Sequence, residues 1–120
     1  MVAGERSLAE FPQRAVLRIA YAVLCAWSVA IVWAVPAVST QDGPTHLYNL
    51  VILDDLLSGG RTWSAHYAAD LRPTPNLGFI AFGLPLVGRL PLDCIERLFV
   101  SLYVAVVLTG VAFWLRSFGR

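Results

Sequence analysis

Two long apolar runs and one broken one set the frame of the chain. From Ile19 to Val38, IAYAVLCAWSVAIVWAVPAV carries no charge, and a run of about 20 apolar residues is what a helix needs to cross the hydrocarbon of a bilayer. Leu98 to Leu115, LFVSLYVAVVLTGVAFWL, is likewise uncharged and is bounded by Arg97 and Arg116. It predicts a second spanning helix close to the minimum length. Between them, Leu77 to Leu92 is apolar but shorter, and Gly78, Gly83, Pro85, Gly88, Arg89 and Pro91 interrupt it. It is expected to be a kinked span, lengthened by Pro75 and Asn76, with a re-entrant segment as the alternative. The expected fold class is therefore all-α, an integral membrane protein of two to three transmembrane helices. A cleaved signal peptide competes for the first run, since Val35-Pro36-Ala37 loosely imitates a cleavage site. The apolar core is longer than the roughly 7 to 15 residues of such signals, which favours a retained helix.

The polar stretch after the first run predicts a further helix. PTHLYNLVILDDLLSGG opens with Asp-Gly-Pro and closes on Gly-Gly, punctuation that suits a helix from Pro44 to Ser58. Leu47, Leu50, Val51, Leu53 and Leu57 make one broad apolar face, which Ile52 and Leu56 widen. So apolar a helix outside a span is expected in the interface plane or against other membrane helices. The following GGRTWSAHYAADLRPTPN mixes Trp63, His66 and Tyr67 with Asp70 and Arg72, a composition that suits the headgroup level.

Composition sharpens the class. The chain is 58% hydrophobic and 14% charged, against roughly 25% charged in an average soluble domain. Its nine cationic residues are all arginine and the net charge is only +1, which provides no electrostatic footprint for nucleic acid. Cys25 and Cys94 read as small apolar side chains rather than as a disulfide or zinc pair. Arg6, Arg14 and Arg18 precede the first span, whereas residues 39–76 carry Arg61 and Arg72 against four aspartates. The amino terminus is thus expected in the cytoplasm, with 39–76 on the outer face. A spanning middle segment would return Arg89 and Arg97 to the cytoplasm and leave Arg116 and Arg120 outside, against the same rule. A re-entrant one would bring the carboxy-terminal end back inside.

The candidate chemistry lies in residues 42–72. Asp42 and His46 are four apart at a helix start, so one turn can bring both side chains to one side. The carboxylate could take a proton from an acceptor hydroxyl, or it could simply cap the amides of Thr45 or His46. His46 could meet a phosphate or a sugar hydroxyl, or pack as an ordinary interfacial histidine. Asp54 and Asp55 are adjacent, about 100° apart on a helix, and cannot form a catalytic dyad. Tyr48, Arg61, His66, Tyr67 and Arg72 complete the candidate substrate contacts, ordinary loop residues being the alternative. A divalent cation is compatible with the acids and histidines gathered on one side, although no spacing matches a ligand motif.

DGPTHLYNLVILDDLL, followed by PNLGF and then IERLFVSLYVAVVLTGVAFWLR, resembles the amino-terminal module of the C-type membrane glycosyltransferases, including the protein mannosyltransferases and the lipid A aminoarabinose transferases. The resemblance runs from about Val16 onward. It implies a polyprenyl-phosphate sugar as donor and a first-loop acid as catalytic base or metal-linked acid, a role that would fall on Asp42, with His46 as its neighbour at the donor phosphate. Family members are several hundred residues long with many spans. The resemblance therefore implies the leading piece of a larger or split protein, or a small membrane protein that retains the module. The competing class is a non-catalytic subunit that docks a partner through the loop helix, and a transporter fragment with its substrate near Pro85 is a third.

Overall fold

The computed structural model describes residues 6–38, 40–72 and 75–118, and side chains from Ala15 onward. Residues 1–5, Ser39, Pro73, Thr74, Gly119 and Arg120 lie outside this description, and with them the expected placement of Arg120. Among the described residues the fold is all-α: α1 (Arg6–Ala34), α2 (Gly43–Leu57), α3 (Leu77–Gly83), a single 3-10 turn at Leu84–Leu86, and α4 (Leu92–Phe118).

Among the described residues, α1 and α4 are the two helices long and apolar enough to cross a membrane. They lie antiparallel, as their cross-contacts show: Tyr21 shares a hydrogen bond with Thr109 at 3.0 Å, and Trp33 Nε1 donates to Ser101 Oγ at 3.1 Å. Interhelical bonds of this kind are worth only about 0.6 kcal/mol on average in a bilayer, so they fix register more than stability. α1 stops at Ala34, four residues short of the expected end. Pro36 explains this, because its ring disfavours helical geometry at the preceding residue. α4 begins six residues earlier than expected, with Pro91 O accepting from the amides of Cys94 and Ile95. Asp93 then falls in its first turn, where the helix dipole favours an acid. Glu96 and Arg97, at the edge of the apolar run, are thereby drawn into the helix.

The middle segment does not form the kinked span that its apolar run suggested. α3 has seven residues, about 10 Å of helix, and the 3-10 turn adds about 6 Å, against roughly 30 Å of hydrocarbon. Instead it folds back onto α2 and α4. Leu50, Phe79 and Ile95 form the core of this cap, flanked by Leu47, Ile80, Phe82, Leu84, Leu86, Val87 and Phe99. Phe79 and Phe99 meet edge to face with centroids 4.9 Å apart, the arrangement that aromatic quadrupoles favour. Close packing requires Gly83, since a Cβ there would lie 2.7 Å from Leu50 Cδ2 and 3.3 Å from Ile95 Cγ2. The molecule measures 81 Å along its longest axis, about twice the length of either long helix, so the cap extends beyond one end of the pair rather than wrapping it.

The predicted loop helix forms as α2, and its end carries the expected Gly-Gly stop. Gly59 adopts φ +79°, the Gly60 amide donates to Asp55 O at 2.8 Å and the Gly59 amide to Leu56 O at 3.4 Å, which together make a Schellman cap. Of the two expected placements, α2 takes the one against other helices. Leu50 is fully buried and Ile52 nearly so, on opposite sides of the helix, while Leu57 is exposed.

Candidate functional site

Asp42 stands at the junction between α1 and α2. The N-cap position is its own, but its carboxylate makes no cap hydrogen bond; only its backbone carbonyl serves the helix, accepting from the His46 amide at 3.0 Å. The expected side-chain cap on Thr45 or His46 is therefore absent, and the carboxyl group is exposed. His46 is half-buried one turn on, its ring 5.8 Å from that of Phe79. It packs against the cap core, as the simpler reading of this histidine expects.

The chain on either side of Asp42 is held from α4, which was not legible in the sequence. Arg97 is 7% exposed. Its Nη1 donates to Val32 O at 2.7 Å and to Val35 O at 3.0 Å, and its Nη2 donates to Pro36 O at 3.0 Å. Val32 O lies in the last turn of α1, where helix geometry leaves acceptors without partners and the dipole is negative, and Val35 O and Pro36 O lie just past its end. The guanidinium also lies 6.0 Å from the centre of the Trp33 ring and 3.8 Å from Asp93. Glu96, also 7% exposed, accepts from Thr40 Oγ1 at 2.8 Å. Its carboxylate is packed against Gly43, where a Cβ would collide with Glu96 Oε1 and Thr40 Oγ1. In the sequence Arg97 reads only as the charged border of a span, and Glu96 is given no role. An acid and an arginine side by side within the first two turns of a helix were the available signal, and only the α1 contacts reveal their use.

A second group forms on another face of α2. Tyr48 lies edge-on to Trp63 with centroids 5.5 Å apart, and Trp63 lies edge-on to Tyr67 at 6.0 Å. The Tyr67 hydroxyl beside it holds the Tyr48 phenol above its ordinary value. Residues 63–67 turn back on themselves, the amides of His66 and Tyr67 both donating to Trp63 O. Asp55 secures this turn by accepting from the Trp63 amide at 3.3 Å and by folding over Gly60, which has no room for a Cβ. Asp55 is thus a loop fastener. Tyr48, His66 and Tyr67 share one neighbourhood, while His46 packs on Phe79. With about 100° between successive residues of a helix, the two groups occupy different faces of α2.

Arg72 belongs to neither. It binds Asp70 through Nε, 3.0 Å from each carboxylate oxygen, and through Nη2 at 2.6 Å. That guanidinium holds the Asp70 carboxyl below the usual carboxylate range. Both side chains are largely in solvent, so the pair shapes a local turn and adds little to stability. Arg61 is exposed at the start of the 61–67 turn and, among the described residues, is in no ion pair. No three of the described histidines, cysteines, aspartates and glutamates come together as a metal site. Cys25 and Cys94 are free thiols, both half-buried.

Composition, the two antiparallel helices of spanning length and the helical cap define an all-α membrane protein. No protein-family model matches the chain, and neither a curated protein nor a solved structure does.

Proposed function

We propose that this chain is the amino-terminal membrane module of a glycosyltransferase that moves a sugar from a polyprenyl-phosphate donor to an acceptor hydroxyl on the outer face, with Asp42 as base. The supporting observation is the Asp42 carboxylate itself: exposed in the connection between the first long apolar helix and α2, it is left unused by the helix that it starts. In the reaction, Asp42 takes the proton of the acceptor hydroxyl while the oxygen bonds to the anomeric carbon. The bond from that carbon to the lipid phosphate oxygen breaks, and the phosphate leaves as an anion. Arg61 is better suited than Arg72 to meet that charge, because Arg72 is already engaged by Asp70. A single acid supplies only part of such catalysis, since orientation and charge stabilisation contribute most of the rate. The reading is accordingly of a module that works together with further donor- and acceptor-binding elements.

Docking of a partner through the apolar face of the loop helix is less well supported. Leu50, which belongs to that face, is already fully buried within the chain, which takes it out of the surface such a partner would need. The test is Asp42→Asn in the full-length protein, with transfer from a polyprenyl-phosphate sugar measured in proteoliposomes. A positioned base is worth about 10²–10⁴-fold, so a loss in that range is expected; transfer at the unaltered rate would overturn the assignment.

A further inference from the structure

Two successive residues of α4 reach the two ends of the segment that carries Asp42. Arg97 holds the upstream end by its three bonds to Val32 O, Val35 O and Pro36 O. Glu96 holds the downstream end through the Thr40 hydroxyl, and its carboxylate fills the space over Gly43 that any side chain would need. The described residues between α1 and α2, 35–38 and 40–42, contain no regular helix, and the connection is thus gripped near both of its ends.

From this geometry we infer that Glu96 and Arg97 are positioning residues for Asp42, a clamp that sets where its carboxylate stands at the membrane boundary. The physical reasoning is specific to these side chains. A guanidinium carries five donors in a rigid fork and keeps its charge under all ordinary conditions, so one Arg97 can meet three carbonyls of an ending helix. A buried charge is retained only when it is paired or hydrogen-bonded, and neither Glu96 nor Arg97 makes its bonds within α4 alone. Their bonds go to the segment that leads into Asp42. Simple capping of α1 would need only Arg97; the adjoining hold of Glu96 on Thr40 and Gly43, next to Asp42 in the chain, is what makes the pair a clamp. The inference rests on the reading of Asp42 as base for its purpose, but not for its geometry.

The test uses a spin label at Gln41→Cys in the full chain, with Cys25 and Cys94 replaced by alanine, in lipid nanodiscs. A control label is placed at Val107→Cys on the exposed side of α4. Thr40→Val and Glu96→Ala are expected to shorten the rotational correlation time at position 41 severalfold while leaving position 107 unchanged. Glu96→Gln, which keeps an acceptor oxygen for Thr40, should restore the native spectrum, and Arg97→Lys should restore it only in part relative to Arg97→Gln. An unaltered spectrum at position 41 in Thr40→Val and Glu96→Ala would overturn the clamp, as would equal loosening at both labels in the mild Thr40→Val variant. Sugar transfer in the same variants separates the two readings. Loosening at 41 with a fall in kcat and little change in KM supports both, whereas loosening with unchanged transfer retains the clamp and removes Asp42 from catalysis.

Discussion

Gly43 shows how much of a site can depend on a missing side chain. Read along the chain, Asp-Gly-Pro announces a helix start, and α2 does begin there. What the local pattern cannot contain is that Glu96, more than fifty residues away, occupies the space of a Cβ at Gly43. Gly43→Ala must therefore displace the Glu96 carboxylate or the Thr40 hydroxyl, an overpacking that typically costs about 1–3 kcal/mol. Gly78 has open space around it, so Gly78→Ala should be neutral or stabilise by about 0.5–1 kcal/mol. Unfolding of both variants in mild detergent checks the contrast; equal effects would mean that Glu96 is not packed against Gly43. Asp70 makes a different residue-scale prediction. Because Arg72 lowers its carboxyl, the turn it holds is at full strength above the ordinary aspartate value and is lost as pH falls through the lowered one. A side-chain NMR titration should show an Asp70 midpoint that rises in Arg72→Gln. At neutral pH the exposed pair should matter little.

At the scale of elements, α2 was legible in its limits and not in its contacts. Its Gly-Gly stop is a property of four or five neighbouring residues and reappears as the Schellman cap. Its apolar residues run nearly all the way round, so the pattern could not say which would be buried; α3 and α4 make that choice, taking Leu50 and leaving Leu57 in the open. The same reasoning covers Leu77 to Leu92, whose composition allows a span or a fold-back. It is the complementary surface of Leu50, Ile95 and Phe99 that makes the fold-back a packed structure. Leu50→Ala should then destabilise the cap by about 2–5 kcal/mol, while Leu57→Ala, at a position 49% exposed, should stay within about 0.5 kcal/mol. Hydrogen exchange of the α2 and α3 amides is the suitable measurement, because loss of the cap core should raise exchange there before it reaches α1 and α4. Uniform exchange in both variants would mean that the cap has no core of its own.

The whole molecule is decided by how many times the chain crosses. Each apolar run was readable alone, but the orientation of the last one depended on the middle segment, and a crossing there would have set Arg116 on the side opposite Arg18. The antiparallel pairing of Tyr21 with Thr109 and of Trp33 with Ser101 instead places Arg18 and Arg116 at one end, and the cap with Asp42 and Arg61 at the other. With an even number of crossings Arg18 and Arg116 share one side, opposite Asp42 and Arg61. Arg97, so close to a span, need not mark a cytoplasmic loop, because its guanidinium is taken up by carbonyls at and just past the end of α1. In a chain with Cys25 and Cys94 replaced, single cysteines at Arg18, Thr62 and Ser117 should react with a membrane-impermeant maleimide in two classes. Thr62→Cys should label in intact cells or right-side-out spheroplasts, and Arg18→Cys and Ser117→Cys only after the membrane is opened. Labelling of Ser117→Cys together with Thr62→Cys would require an odd number of crossings. The antiparallel pair could not then stand in the membrane as described, and the clamp between Arg97 and the end of α1 would fall with it.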